Sequence, residues 1–250
     1  MIKRILLILL AAGLTLGVIV GIEIVIALRR DYLPTQPALA VGGTFGRAGA
    51  ERVKFTVLGD STGAGVGVDD PALAYPSLLA ARLSRLGYSV ELRSYAVSGA
   101  RAAGVLKEQV PRAIEDDPDL VFVAIGANDV THLTPLSEVE DDVGAVIREL
   151  RTTGARVVVA GAPDMRAAAF LEPLRSLAGW RGRAVADAVA DAARQSDTPV
   201  VPLAAATARY FEQDPDRYYS ADLFHPSAAG YERWADAIYP YLRDALEGDR

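Results

Sequence analysis

The 250-residue sequence contains no cysteine. Its absence excludes disulfide bonds, a thiol nucleophile, thiolate metal ligands and a cysteine-linked lipid anchor. Histidine is nearly as scarce, with only His132 and His225, so a closed zinc site is not predicted and no metal ion or cofactor is expected. Acidic residues outnumber basic ones by 32 to 26, which gives a net charge of −6. We therefore expect no nucleic-acid partner.

One long apolar run lies at the N-terminus. Residues 5–22 carry no charge, and residues 24–28 extend the run past Glu23. About 20 apolar residues suffice to cross the hydrocarbon core of a bilayer, so we predict a transmembrane anchor over residues 1–28. The alternative is a cleaved signal peptide, with Ala38-Leu39-Ala40 as the candidate cleavage site. The run is longer than the h-region of a signal peptide, about 7–15 residues, and lies well before that site, which favours the anchor.

The charges around this run indicate its orientation. Lys3 and Arg4 precede it, whereas Arg29 and Arg30 follow it and are partly offset by Asp31. Positive residues favour the cytoplasmic side, and the balance tips slightly towards a cytoplasmic N-terminus, so the folded part of the chain is expected outside the cytoplasm. Residues 29–51 are rich in proline, glycine and alanine without an apolar period, which predicts a flexible linker. One domain is expected over residues 52–250.

From residue 52 onward, predicted strands alternate with amphipathic helices. Short apolar runs that predict strands lie at residues 53–58, 89–97, 120–125, 156–160 and 199–203. The alternation predicts a parallel sheet covered by helices on both faces. One helix is expected over residues 175–195, and its inward residues are expected to be Leu177, Trp180, Ala184, Val185, Ala188 and Val189. The last helix is expected to begin near Ser227 and to be interrupted at Pro240.

Polar residues and glycines gather just after predicted strands and just before the last helix. In chain order they include Ser61, Gly99, Asn128, Asp222 and His225. The carboxyl ends of parallel strands meet at one edge of the sheet, where open α/β sheets bind their ligands. The glycine-rich run around the serine is not followed by Gly-Lys-Ser/Thr, so a phosphate loop is not predicted.

Each of these features has a structural alternative. A serine between glycines is a candidate nucleophile, but serines also stabilise turns. Asn128 offers amide donors for a developing oxyanion, although an Asn-Asp pair also suits a plain turn. His225 lies three residues after Asp222, close enough for the carboxylate to fix the tautomer of the ring. The same spacing separates Asp129 from His132, which remains an alternative base.

Four short motifs carry these residues: Gly59-Asp60-Ser61, Ser98-Gly99-Ala100, Gly126-Ala127-Asn128-Asp129 and Asp222-Leu223-Phe224-His225-Pro226. Taken together, they resemble the SGNH hydrolases, also called the GDSL-like esterase and lipase family, over residues 53–246. The resemblance implies an α/β protein with a flavodoxin-like three-layer α/β/α sandwich and a central parallel sheet. It also implies that Ser61 is the nucleophile, His225 the general base and Asp222 the residue that orients the base. The implied oxyanion hole consists of the backbone N–H groups of Ser61 and Gly99 and the side chain of Asn128.

The same resemblance implies hydrolysis of carboxylic esters through an acyl-enzyme. The substrate would be an ester of a small molecule, a glycan or a lipid. An acyltransferase that uses the same residues is one alternative, and a non-catalytic, membrane-tethered domain that binds a glycan or lipid is another. The chain departs from the family pattern at Ala96, where an asparagine is common, so a supporting hydrogen bond of the family is in doubt there.

Overall fold

The computed structural model describes residues 2–35 and 38–248. Its strands are β1 (Gly42–Phe45), β2 (Arg52–Gly59), β3 (Ser89–Ser94), β4 (Leu120–Ala124), β5 (Arg156–Ala160) and β6 (Val200–Val201). Within these residues the six strands form one sheet in the order β1-β3-β2-β4-β5-β6. Strand β1 pairs antiparallel with β3, and every other pair of neighbours is parallel.

Helices cover this sheet on both faces. The helices of the described residues are α1 (Ile2–Arg29), α2 (Tyr75–Ser84), α3 (Ala102–Gly104), α4 (Val110–Glu115), α5 (Ala127–Thr131), α6 (Leu136–Arg151), α7 (Leu174–Gln195), α8 (Leu203–Gln213), α9 (Pro215–Tyr218) and α10 (Ala228–Glu247). A 3-10 turn at Pro71–Leu73 precedes α2, and a π-helical turn at Val105–Gln109 joins α3 to α4. One apolar cluster joins the sheet to α2, α8 and α10, and a second joins it to α4, α6 and α7. These layers confirm the predicted α/β/α sandwich.

Strand β4 shows why its sequence is apolar throughout. Phe122 belongs to the cluster shared with α2 and α10, whereas Val121 and Val123 belong to the cluster shared with α6 and α7. All three side chains are buried. Side chains of a strand alternate between the faces of a sheet, and both faces of this central strand are covered, so no position favours a polar residue.

The segment Gly42–Phe45 corrects the prediction of a linker over residues 29–51. It pairs along its whole length with β3, from Gly42 opposite Arg93 to Phe45 opposite Val90. Two glycines in four residues give the segment little intrinsic preference for a strand. The open edge of β3 supplies the hydrogen bonds that the local sequence does not predict.

The inward face of α7 also differs from the prediction. Leu177 and Trp180 are 45% and 63% exposed, whereas Gly179 and Gly182 are buried. A Cβ atom at Gly182 would lie 2.7 Å from Cγ of Met165, and one at Gly179 would meet the side chain of Arg166. Glycines therefore occupy the inward positions of the first turns, because the loop before the helix leaves no room for larger residues. Farther along the helix the prediction is correct, since Val185, Ala188 and Val189 are buried.

The prediction that Pro240 interrupts the last helix is wrong as well. Helix α10 continues through Pro240 to Glu247. A proline in a helix removes one backbone hydrogen bond and bends the axis. Leu242 and Leu246, both buried beyond the proline, hold the last turns of the helix against the sheet.

Helix α1 is long and apolar enough to cross a membrane, as judged by length and composition, and its most apolar window is not buried against the rest of the protein. Near its C-terminal end the helix contacts the domain. The backbone N–H of Leu174, the first residue of α7, donates a hydrogen bond of 2.8 Å to Oε2 of Glu23. The side chain of Glu23 is buried by this contact.

Candidate active site

Ser61 lies two residues after the end of β2, in a tight turn. Asp60 stabilises this turn, because its Oδ1 accepts hydrogen bonds from the backbone N–H of Thr62 at 3.0 Å and from the Thr62 hydroxyl at 2.9 Å. Gly59 has φ +153°, and a Cβ atom there would meet the carbonyl oxygen of Ala124 in the neighbouring strand. The glycine before the turn thus allows β2 and β4 to approach closely just below the serine.

A buried glutamine holds the same backbone from the other side. Gln109, in the π-helical turn, accepts a 2.9 Å hydrogen bond from the N–H of Gly59 and donates a 2.8 Å hydrogen bond to its carbonyl. The sequence does not predict this role for Gln109. A single glutamine in an amphipathic segment carries no signal that it binds the backbone 50 residues earlier.

The structure brings together the serine, histidine and aspartate that the sequence singles out. The imidazole Nε2 of His225 lies 3.0 Å from Oγ of Ser61, and its Nδ1 lies 2.6 Å from Oδ2 of Asp222. His225 and Asp222 are buried, and Ser61 is half-buried. The three side chains form one hydrogen-bonded chain at the carboxyl edge of the sheet.

Asp222 is surrounded by donors. Its Oδ1 accepts hydrogen bonds from the backbone N–H groups of Phe224 and His225, at 3.0 and 2.9 Å, and from the Ser220 hydroxyl at 3.0 Å. Burial alone would raise the pKa of the carboxyl, but the hydrogen bonds from the side chain and backbone of His225 and from Phe224 lower it well below its ordinary value. Asp222 is therefore ionised at neutral pH and suited to accept a hydrogen bond from a protonated Nδ1 of His225.

Asn128 lies at the start of α5, directly after β4. Its Nδ2 donates a 3.0 Å hydrogen bond to the carbonyl of Ala100, which fixes the orientation of the amide. An amide nitrogen carries two hydrogens, so one remains for a ligand. Gly99, the residue before Ala100, is exposed at φ +84° in the turn after β3. The three residues Ser61, Gly99 and Asn128 thus follow three adjacent parallel strands.

Of the two histidines, only His225 contacts the serine. His132 is exposed, and its Nδ1 lies 2.8 Å from the backbone carbonyl of Asn128, in the same helix. The alternative base is therefore engaged within its own turn. Within residues 2–35 and 38–248 no three His, Asp or Glu side chains are grouped so that they could hold a metal ion.

A cavity of about 50 Å³ opens beside the Ser61 hydroxyl, and Asn128 and His225 line it. Its remaining wall is mainly apolar and includes Met165, Ala167, Phe211, Phe224 and Trp234. A water molecule needs only about 10–15 Å³ of such volume, so this cavity has room for a group of a few heavy atoms.

A serine, a histidine and an aspartate hydrogen-bonded in series at the carboxyl edge of the sheet have the geometry that nucleophilic catalysis requires. Comparison with known families defines the class more closely. Residues 57–233 match the model of the GDSL-like Lipase/Acylhydrolase family, which is more than half of the chain. The chain belongs to this family, as its motifs predict.

Individual relatives agree with this assignment. The chain is 36% identical over 198 residues to the GDSL-like esterase Rv1075c of Mycobacterium tuberculosis, covering 78% of this chain and 63% of that protein. It is 25% identical over 194 residues to the esterase TesA of Pseudomonas aeruginosa, covering 76% of this chain and 88% of that protein. The chain thus spans less than two thirds of the length of the mycobacterial relative.

Solved structures show the same fold. The crystal structure of TesA superposes with a TM-score of 0.64 at 25% identity, covering 77% of this chain and 99% of that one. The lipase/acylhydrolase from Enterococcus faecalis superposes with a TM-score of 0.61 at 22% identity, covering 77% of this chain and 95% of that one. The predicted fold class is therefore confirmed by both the sheet topology and these neighbours.

Proposed function

We propose that this protein is a serine esterase that cleaves carboxylic esters through an acyl-enzyme on Ser61. The observation that carries the proposal is the continuous hydrogen-bonded chain from the Ser61 hydroxyl through His225 to Asp222. A serine hydroxyl is a weak nucleophile until a neighbouring base removes its proton. His225 would be that base, and Asp222 the group that orients it.

In the first half-reaction, Oγ of Ser61 attacks the ester carbonyl carbon while Nε2 of His225 accepts the hydroxyl proton. Asp222 keeps the other ring nitrogen protonated and stabilises the imidazolium that forms. Backbone N–H groups of Ser61 and Gly99 and the Asn128 amide would donate to the oxyanion of the tetrahedral intermediate. The intermediate collapses, and the alcohol leaves with the proton from His225.

In the second half-reaction, His225 removes a proton from water, and the resulting hydroxide attacks the acyl carbon of the Ser61 ester. The tetrahedral intermediate then collapses, the proton returns from His225 to Oγ of Ser61, and the carboxylic acid is released. An acyltransferase would differ only in using another alcohol in place of water. Product analysis in the presence of an added alcohol such as glycerol separates the two reactions.

The cavity beside Ser61 supports a small acyl group. Its volume of about 50 Å³ and its apolar wall accommodate an acetyl or similarly short chain better than a long one. We therefore propose esters of short acids as the substrate class. An alcohol part from a glycan or a lipid is compatible with a protein held at a membrane.

The location that we propose is the membrane, with α1 as an uncleaved anchor and the domain outside the cytoplasm. The support is the exposed apolar surface of α1 and the positive charges of Lys3 and Arg4 before it. Resistance of the membrane-bound protein to carbonate extraction, together with cleavage of its domain by protease added to spheroplasts, would test both parts. Release of a soluble, shortened protein would favour the signal peptide instead.

The activity is tested with the full chain purified in detergent, with p-nitrophenyl acetate and p-nitrophenyl octanoate as substrates. We expect turnover of the acetate ester, weak turnover of the octanoate ester, and loss of both in Ser61→Ala. Ser98→Ala, which removes a different half-buried hydroxyl near the same edge, is the matched control and should retain activity. A folded wild-type protein that neither turns over the esters nor reacts with a fluorophosphonate at Ser61 would favour the non-catalytic binding domain.

A further inference from the structure

We propose that the connector (Arg30–Leu33), the segment that follows α1, positions Asp222 for catalysis. This inference rests on the proposed function. The backbone N–H of Leu33 donates a 3.2 Å hydrogen bond to Oδ2 of Asp222, and Nε of Arg30 donates a 3.2 Å hydrogen bond to the Asp222 backbone carbonyl. The connector thus holds both the side chain and the backbone of the triad acid.

The hydrogen bond from Leu33 is accepted by the same carboxylate oxygen of Asp222 that accepts from His225. Oδ2 of Asp222 accepts from Nδ1 of His225 and from the N–H of Leu33, whereas Oδ1 accepts from donors within the loop itself. A carboxylate oxygen that receives a second hydrogen bond is held more firmly in place, and its negative charge is partly neutralised. The connector therefore acts directly on the hydrogen bond that orients the base.

Aromatic contacts add a second route from the connector to the histidine. The ring of Tyr32 meets the ring of Phe224 edge to face at a centroid distance of 5.4 Å, and Phe224 in turn meets the His225 ring at 5.1 Å. Burial raises the pKa of Tyr32, and the Asp222 charge raises it further, partly offset by Arg30. The electrostatic coupling agrees with the geometry in placing Tyr32 beside the triad acid.

Helix α1 is also connected to the loop that carries Asp222 and His225, through the residues at and before the start of α7. Glu23 accepts a hydrogen bond from the first N–H of α7. In the loop before α7, the Ala169 N–H donates a 3.0 Å hydrogen bond to the carbonyl of Leu223, the residue that follows Asp222. The predicted anchor thus also contacts the domain and, through the connector, supports Asp222. Cleavage after Ala40 would remove the connector from Asp222.

A pair of variants at position 33 separates the effect of the backbone hydrogen bond to Asp222 from the effect of the Leu33 side chain. Leu33→Pro removes the backbone donor, and Leu33→Ala keeps it while shortening the side chain. Both are compared with wild type as the full chain in detergent, by kcat and KM for p-nitrophenyl acetate across pH 5–9 and by thermal unfolding. The charged and titratable groups around Asp222 and His225 are Arg30, Tyr32, Asp60 and Tyr231, and both variants leave all four in place.

We expect Leu33→Pro to lower kcat about tenfold with little change in KM, the size of effect expected for one hydrogen bond to a charged group. The acidic limb of its pH–kcat profile should move to higher pH, because an Asp222 carboxylate with one donor fewer stabilises the imidazolium more strongly. Leu33→Ala should keep the wild-type profile. A merely structural role would lower stability without moving that limb.

Equal kcat and equal pH profiles in Leu33→Pro and Leu33→Ala would overturn the inference while leaving the esterase intact. If the proline variant does not fold, Arg30→Ala and Arg30→Lys replace the pair, with loss expected only in the alanine variant, and equal behaviour of those two again overturns it. A wild-type protein without turnover or fluorophosphonate labelling would instead contradict the proposed function itself, and the inference with it.

Discussion

Gln109 clamps the backbone of Gly59, two residues before Ser61. The Gly59 N–H donates a hydrogen bond to the side-chain oxygen of Gln109, and the side-chain nitrogen of Gln109 donates one to the Gly59 carbonyl. The Gln109 side chain is buried, and it reaches the strand from the π-helical turn between α3 and α4. The Gly59 carbonyl has a second partner in the N–H of Val97. The Gly59 N–H donates to Gln109, so the clamp fixes the end of β2 two residues before Ser61.

Removal of this clamp should cost stability. Gln109→Met keeps a side chain of similar length but leaves the buried Gly59 N–H without its acceptor, a loss of about 1–3 kcal/mol in the free energy of unfolding. Turnover should fall as well, since the serine turn loses its support. Chemical denaturation and ester hydrolysis measure the two effects. Gln195→Met, at a glutamine on the surface of α7, is the control, and equal losses in both variants would contradict the role of Gln109.

The clamp also shows where prediction from sequence ends. The strand-end motifs could be found because each depends on local features, namely an apolar run followed by a polar residue or glycine, and Asp222 and His225 are three residues apart. Their convergence follows from the parallel sheet. Gln109 meets Gly59 across 50 residues, and Leu33 meets Asp222 across 189. Such contacts are set by how whole elements pack, and no local pattern encodes them.

Asn128 offers a prediction for the proposed oxyanion hole. Its amide is oriented by the hydrogen bond to Ala100, and loss of one oxyanion donor typically lowers kcat by about 10²–10³-fold. Asn128→Ala should therefore lower the kcat for p-nitrophenyl acetate far more than it changes KM. The control is Thr131→Ala, which removes the exposed hydroxyl that donates to the Asn128 backbone carbonyl and leaves the Asn128 amide in place. Wild-type kcat in a folded Asn128→Ala protein would remove this residue from the oxyanion hole.

Gly67 limits the position of the loop that carries His225 and Pro226. It has φ +114°, and a Cβ atom there would meet the Pro226 carbonyl and lie 3.4 Å from Cβ of His225. Gly87 has a similar φ of +102° but open space around its Cα. Both alanine variants carry backbone strain of about 1–2 kcal/mol, whereas only Gly67→Ala should also displace His225.

The paired measurement is therefore thermal unfolding together with kcat. We expect Gly87→Ala to lower Tm by a few degrees with kcat unchanged, and Gly67→Ala to lower Tm further and to reduce kcat at least tenfold. A Gly67→Ala protein with wild-type kcat would show that the loop accommodates the methyl group without moving the histidine.

Asp60 provides a prediction of stability against pH. Burial raises its pKa above the ordinary 3.8, although hydrogen bonds from Thr62 and the nearby His225 work in the opposite direction. The folded state thus holds the proton of Asp60 more tightly than the unfolded chain does. Its contribution to stability is full below pH 3.8 and is lost as the pH rises through the raised pKa of the folded state.

Asp60→Asn removes this penalty, and its amide oxygen can still accept both hydrogen bonds from Thr62. Relative to wild type, the variant should therefore gain stability between pH 4.5 and pH 8, with the difference in Tm larger at pH 8. Thermal unfolding of both proteins at the two pH values measures it. Thr62→Val, which removes the hydroxyl donor to the same carboxylate, should lower Tm at both. A difference between Asp60→Asn and wild type that is independent of pH would show that the buried carboxylate carries no desolvation penalty in the folded state.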